Sequence, residues 1–441
     1  MTDTTDTNLA PVTGTSRIDV LDILRGIAIL GIFFMNIPYM AASLPALFVD
    51  VRLLGWTPVD QASWTAVQVL LEGTQRGMLQ LLFGAGMMVL TARAMQPDGP
   101  VAIADLYFRR NLWLLAFGLA DIFLLFWAGD ILHLYAIAAL FLFPFRKLGA
   151  RWLLVLAMGF ALFTAVTGGI RYAERADLMH RAESAQTKAA SGAKLDKKET
   201  KAVEDWKKAI ERRKGNSPDF QEMKKQEIKG HSGGFLDYAM LNIGLWFFIV
   251  ADGGLYLGVI EAFCVMLLGI ALWKWEIIQG GRSARFYAVL MLGCYAFALP
   301  LRWMGAQEML TMVPIPRSFW ATQEFARIAA SVGHLALINL LVKSGAGRAI
   351  LAPFKAAGRT AFSLYFMQTI IGLWILFAPW GPGLWGKLSW GGMHSVVIAV
   401  IAGQVILANI WVRYFTSGPL EWAWRSLAYV KRQPFRRRHV E

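Results

Sequence analysis

Apolar runs of about twenty residues recur from one end of this chain to the other, and they leave few folds open. A run of that length crosses the hydrocarbon core of a bilayer as a helix. In lipid every backbone N–H and C=O must be bonded within the protein, which favours helices over open sheets. The sequence therefore predicts an all-α, polytopic membrane bundle. Ten spans are expected at roughly 20–43, 64–90, 110–128, 131–145, 152–170, 252–273, 286–304, 322–342, 360–379 and 391–412. The stretch 236–251 is also apolar but stops at Asp252-Gly-Gly, and reads as an interfacial or re-entrant segment. Charged residues make up only 17% of the 441, against roughly 25% in soluble domains.

The charges orient the chain. With ten spans, Arg109, Arg110, Arg146, Lys147, Lys274, Arg282, Lys343, Arg348 and Lys355 fall in one set of short loops, with Arg93. The opposite short loops hold little beyond Arg52, Arg317 and Lys387. By the positive-inside bias both termini are expected on the cytoplasmic side of the membrane. The net charge of +14 is thus a topology signal, and nucleic acid is not an expected partner. Five regions follow: a polar tail 1–16, expected to be disordered; a membrane half 17–170; a hydrophilic extracytoplasmic insertion 171–235, expected to be partly helical and mobile; a second membrane half 236–425; and a basic tail 426–441. Cys264 and Cys294 both lie in apolar segments, so no disulfide framework or zinc site is expected.

Polar groups inside apolar spans are costly and need a partner or a task. In the first span Asp22 and Arg25 are i,i+3 neighbours, and Asn36 lies eleven residues beyond Arg25, about 16 Å along one face. In the second, Gln68, Glu72, Arg76 and Gln80 recur every four residues, either as a self-satisfied Glu72–Arg76 pair or as the wall of a site. Gly129-Asp-Ile-Leu-His-Leu-Tyr135 puts Asp130 and His133 on one face. A carboxylate on one imidazole nitrogen fixes the tautomer and frees the other nitrogen as a base; Asp130 could equally cap the helix. Asp121, Asp252 and Glu261 are further acids, and Arg327 and His334, seven apart, face roughly one way. Ser363, Tyr365, Gln368, Gln404 and Asn409 read as interhelical hydrogen-bonding groups. Gly84, Gly86 and Gly358 read as close-packing or helix-end glycines.

Several stretches together carry a resemblance. Arg17-Ile-Asp-Val-Leu-Asp-Ile-Leu-Arg-Gly26 with Met35-Asn-Ile37, Leu-Leu-Phe-Gly-Ala-Gly86 and Gly129–Tyr135 are joined near the C-terminus by Gly358-Arg-Thr-Ala-Phe-Ser-Leu-Tyr-Phe-Met-Gln368 and Gly418-Pro-Leu-Glu-Trp-Ala-Trp-Arg425. On these the chain resembles the YeiB-like family of bacterial integral-membrane proteins. That family is similar to a wider group of transmembrane acyltransferases, including the bacterial sugar O-acyltransferases and the lysosomal heparan glucosaminide acetyltransferase. In the sugar enzymes the first span carries an arginine followed by a histidine ten residues later. The resemblance gives Arg25 a role near the acyl donor, while Asn36 stands close to where the histidine would be; His133, on another helix, is a candidate replacement.

The function expected first is transfer of an acyl group from cytoplasmic acyl-CoA, as co-substrate, to an extracytoplasmic hydroxyl or amine. Arg25, Asp22, Glu72, Arg76, Tyr135, Arg327 and His334 are its candidate donor- and substrate-binding residues; His133, Asp130 and Asn36 are its candidate catalytic ones. The alternatives are a proton-coupled transporter or flippase using Glu72, Arg76, Asp121 and His334, and a non-catalytic envelope assembly protein. Membrane lipids are expected neighbours, a homo-oligomer is left open, and no metal is implied.

Overall fold

The computed structural model describes residues 18–91 and 101–437. The tail 1–16, Arg93 and the last residues of the basic tail lie outside them. Among the described residues there are helices and one isolated bridge, Phe415 with Arg436, and no strand. Six helical segments are long and apolar enough to cross a membrane. In the first, α1 (Asp19–Gly31) runs through Ile32 into α2 (Phe33–Ala41). A short α3 (Leu44–Phe48) leads to α4 (Pro58–Ala66), opened by a capping box in which Thr57 and Asp60 bond each other's backbone N–H.

The expected second span is not one helix. After α4 the chain widens into a π turn, Val67–Leu71, then Glu72 leaves helical geometry and Gly73 takes φ +69°, before α5 (Thr74–Thr91) begins. A side chain at Gly73 would be strained in that conformation. The break also separates the expected polar stripe, with Gln68 and Glu72 at or before it and Arg76 and Gln80 after it.

Next come α6 (Val101–Phe123) and α7 (Leu132–Leu142). With eleven residues α7 is about 16 Å long, short of the roughly 30 Å of a bilayer core. The loop between them turns at Phe126, φ +65°. Gly118 on α6 admits it, because a Cβ there would sit 2.6 Å from the His133 nitrogen.

The expected boundary at 170/171 falls inside a single helix, α8 (Ala150–Ala190), of 41 residues. It carries on from the apolar part into the insertion, where α9 (Lys197–Arg213) packs back on it through Ala182, Ala185, Ala202 and Trp206. Lys188 pairs with Glu199 at 2.8 Å. The insertion then returns as α10 (Pro218–Ser232), and the apolar stretch around 236–251 is a helix of its own, α11 (Phe235–Ala251). Arg213 donates to the carbonyls of Val49 and Phe48 and to those of Met309 (2.8 Å) and Thr311 (3.0 Å). The insertion, helical through α9 and α10, is thus tied to the bundle.

The rest is α12 (Gly254–Lys274), α13 (Ala284–Met309), α14 (Phe319–Lys343), α15 (Gly345–Arg359), α16 (Ala361–Thr369) with a π turn Ile370–Leu376, α17 (Trp390–Tyr414) and α18 (Pro419–Tyr429). One core runs through α1, α5, α7, α12, α14 and α16. Two of its contacts depend on reciprocal glycines: Gly26 and Gly358 between α1 and α15, and Gly84 and Gly269 between α5 and α12. Each lies so near a backbone carbonyl of the partner helix that a Cβ would collide with it. Gly86 faces open space and does not share this role. Gly358→Ala is therefore expected to cost about 1–3 kcal/mol through forced separation of α1 and α15, read as a fall in the thermal midpoint of detergent-solubilised protein. Gly86→Ala should leave that midpoint unchanged.

Candidate functional site

The loop that α6 and α7 hold inside the bundle carries the most organised polar cluster. Asp130 Oδ2 accepts from the His133 backbone N–H at 2.8 Å and lies 2.9 Å from His133 Nδ1. Its Oδ1 accepts from the Tyr365 hydroxyl at 3.0 Å, and that hydroxyl accepts from the Ile131 N–H at 3.3 Å. Asp130 thus caps the start of α7 and grips the imidazole at once, the two roles that the spacing left open. Both side chains are buried. With Nδ1 engaged by a carboxylate, the tautomer is set and Nε2 carries the lone pair. Nε2 makes no hydrogen bond to a described residue, and the ring faces Trp246 of α11 at 6.3 Å. Asp121, at the end of α6, is close enough to Asp130 to feel its charge. Its Oδ2 accepts from Thr369 at 3.4 Å, whereas Oδ1 is buried without a partner.

Arg25 lies towards the opposite end of α6. Its Nη1 donates to Asp22 at 3.1 Å, with Asp22 buried and Arg25 about one-third exposed. The Arg110 guanidinium is close enough to Arg25 to feel its charge, and stacks on Trp424 at 4.4 Å. Lys355 reaches Asp19 at 2.6 Å. From Arg110 to Gly118, which abuts His133, is eight residues of α6, about 12 Å. Asn36 is buried on α2, and its amide makes no hydrogen bond to a described residue.

The candidate binding residues of the second, fourth and eighth expected spans form another layer. Arg76 pairs with Glu261 on α12 at 3.1 Å, not with Glu72. Glu261 also accepts from Gln80 (2.9 Å) and lies 3.1 Å from Arg327, which is clamped by Glu324 at 2.6 and 2.9 Å. Tyr135 donates to the Arg76 carbonyl at 3.0 Å, joining this layer to the helix of His133. The broken helix is sealed by cations and donors: Arg302 donates to the carbonyls of Gln68, Val69 and Glu72 at 2.6–2.7 Å, and Arg327 Nη1 lies 3.5 Å from the Gly73 carbonyl. His334 sits between Tyr295 (2.7 Å) and the Leu70 carbonyl (2.6 Å). Arg327 and His334 do share a side of α14, and both serve this break. The Glu72 carboxylate makes no hydrogen bond or ion pair with a described residue.

Several of these partners were not singled out from the sequence. Glu324 is three residues before Arg327, a legible spacing, but Arg302 carried no signal beyond its position in an apolar run. His394 is buried between Phe34 and Trp390 with neither ring nitrogen bonded.

The insertion contributes a smaller set. Glu227 of α10 accepts from Ser43 Oγ (2.5 Å) and the Leu44 N–H (2.8 Å), and His231 stacks on Trp385 at 3.9 Å. Burial raises the Glu227 carboxyl above its usual range and lowers His231 to about 4. A histidine whose folded pKa is depressed favours the docked state fully above its free value of about 6.5 and loses that contribution as pH falls towards 4. Glu227 acts in the opposite sense, since docking prefers its neutral form and gains as the pH falls through the carboxylate range; Lys229 of α10 and Asp237 of α11 stand 3.7 Å apart. Protection of α10 amides against hydrogen exchange is expected to fall between pH 6.5 and 5. His231→Phe, which keeps the stack, should flatten that fall; an unchanged profile would mean His231 is not its source.

Residues 272–431, from the end of α12 through α18, match the family described as a protein of unknown function (DUF418). The chain is 28% identical to the uncharacterized protein YxaH of Bacillus subtilis (strain 168), over 97% of this chain and 98% of that protein. It is 24% identical to the uncharacterized protein YeiB of Escherichia coli (strain K12), over 92% and 95%. The match in the C-terminal part and the two full-length relatives are consistent with the YeiB-like resemblance read from the motifs. The DUF418 match contains Glu324, Arg327, His334 and Tyr365, whereas Arg25, Asn36, Asp130 and His133 lie before it. No solved structure matches the chain.

Proposed function

We propose that this YeiB-like protein is a transmembrane acyltransferase, spanning a bacterial inner membrane ten times with both termini cytoplasmic. The observation that carries the reading is the Asp130–His133 contact of 2.9 Å, with Nε2 left free inside a membrane bundle. A buried imidazole held in one tautomer by a carboxylate suits removal of a proton from a hydroxyl or amine. The acceptor gives that proton to Nε2 as its oxygen or nitrogen bonds to the thioester carbonyl carbon. The C–S bond breaks, and the departing coenzyme A sulfur takes a proton from the imidazolium.

Arg25 and Arg110, two guanidiniums in mutual range near the basic loops, suit the phosphates of an acyl-CoA through their planar forks of donors. The Asn36 amide, without a hydrogen-bond partner among described residues, can donate to the carbonyl oxygen as charge develops on it. Asp22 holds Arg25, and Tyr135 ties the helix of His133 to the Arg76–Glu261–Arg327 layer. The positive-inside asymmetry supports the orientation, placing Arg25 on the donor side and the insertion on the acceptor side.

A second reading, a proton-coupled transporter, is favoured by the broken helix with Glu72 at its break, since interrupted helices often line transport sites. Arg302 and His334 already occupy the freed carbonyls, which favours a structural use of that break. Purified protein in vesicles, given radiolabelled acetyl-CoA, is expected to consume thioester and label an acceptor. Arg25→Ala should raise the half-saturating acetyl-CoA concentration about tenfold, a loss of one charge-assisted contact. Absence of both binding and consumption of the thioester would overturn the reading.

A further inference from the structure

Two walls of the His133 cluster continue into a cavity of about 760 Å³ between the insertion and the bundle. Met40 of α2 also lines the cavity. On the segment 361–376, Thr369 bonds Asp121 while Leu373, four residues later, lines the cavity. Four residues of helix rise about 6 Å. On α11 two adjacent residues divide the work: Leu245 lines the cavity and Trp246 faces the His133 ring. The residue that lines the cavity and the residue that faces the imidazole are thus neighbours on α11.

The lining has two characters. Met40, Leu241, Leu245, Phe248 and Leu373 give an apolar side; Glu222, Gln226, Lys229, Asp237 and Asn242 give a polar one, chiefly on α10. Lys229 is opposite Asp237, no arginine lines the cavity, and Glu222 adds further negative charge. A bare phosphate is poorly matched to that rim, whereas hydroxyls or an amine are well matched. The outer wall is slight. Of the seventeen residues of α11 only Tyr238 and Ala239 are buried, and Leu236, Met240, Phe247 and Phe248 are exposed apolar groups. On a membrane bundle such a face meets lipid, so lipid chains have direct access beside α11.

We infer that this cavity is the acceptor site, and that the acceptor is a membrane amphiphile whose head bears hydroxyls or an amine. Its chains lie along the apolar side and out past α11; its head lies against α10, from which a hydroxyl reaches His133 on displacement of Trp246. The occupancy stands on the cavity alone, while the acylation of its occupant rests on the acyltransferase reading.

Nanodisc-embedded protein would be irradiated with either of two diazirine-bearing probes, a glucosyl-diacylglycerol and a phosphatidic acid, and the labelled peptides identified. The glucosyl probe is expected to label peptides of α10 and α11 in preference to phosphatidic acid. Leu245→Trp, which fills the cavity, should cut that labelling at least about tenfold, a loss of 1.4 kcal/mol. Val289→Trp, on an exposed face of α13, is the control and should keep it. Where Leu245→Trp lowers expression, Asn242→Ala tests the same cavity from its rim by narrowing the preference between heads. Equal labelling by both probes, or labelling untouched by both cavity variants, would overturn the inference. Capture of the glucosyl probe without any acetyl-CoA turnover would uphold the cavity and remove the acyltransferase reading. Turnover with no capture at α10 and α11 would do the reverse.

Discussion

Arg327→Leu is expected to destabilise the protein by about 3–5 kcal/mol, the cost of leaving buried carboxylates without their cation. The guanidinium donates to both oxygens of Glu324, lies 3.1 Å from Glu261, and reaches Gln80 at 3.3 Å. Glu261 would retain Arg76 and Gln80, but Glu324 would lose its clamp entirely while staying buried. The break at Gly73 would lose a donor on the same occasion. Thermal unfolding followed by tryptophan fluorescence in detergent gives the readout. Arg327→Met combined with Glu324→Gln removes cation and anion together, and should recover most of the loss. A double variant as unstable as the single one would show that packing, and not charge, is what Arg327 supplies.

On the proposed acyltransferase reading, with Arg25 and Arg110 as the proposed donor contacts, His133→Ala is expected to lower acyl transfer by about 10²–10⁴-fold, the usual contribution of a positioned general base. The change removes Nε2, leaves Asp130 bonded to Tyr365 and the His133 backbone N–H, and opens space beside Trp246 without burying a new charge. Thioester binding should persist, because the donor contacts lie about 12 Å away along α6. Asp130→Asn should fall between wild type and His133→Ala, since an amide can still contact Nδ1 but favours the other tautomer. Transfer at the wild-type rate by a folded His133→Ala protein would remove the base assignment. Loss of thioester binding in the same protein would mean that the residue holds the donor site together instead.

What was legible in the sequence was local. Asp22 with Arg25 on α1, and Asp130 with His133 at the entry to α7, are three residues apart, so their pairing follows from local geometry. Tyr365 could be recognised only as a hydrogen-bonding residue, because its partner Asp130 is 235 positions away. In one of its two readings Arg76 paired with the nearest acid on its own helix, Glu72, and it instead takes Glu261 from α12. That error has one cause: a hydropathy run says that a segment is apolar enough to cross, but not that it is one continuous helix. The π turn and Gly73 rotate the second half of the run, and an arginine from α13 closes the opened carbonyls. The all-α class and the family were readable because length, composition and a set of motifs are properties of the chain itself.

The 41-residue helix α8 is about 62 Å long, roughly twice the thickness of a bilayer core. It is therefore a ruler as well as a span, setting how far the α8–α9 hairpin stands from the bundle. Each residue also turns the rod by about 100°, so its length and its phase cannot be altered separately. Removing seven residues, close to two turns, would shorten the hairpin yet still offer Ala182 and Ala185 to α9. Removing two would swing those alanines about 200° away and present a charged face in their place. Natural length variation in this helix should accordingly come in steps near three, four or seven residues, and rarely in between.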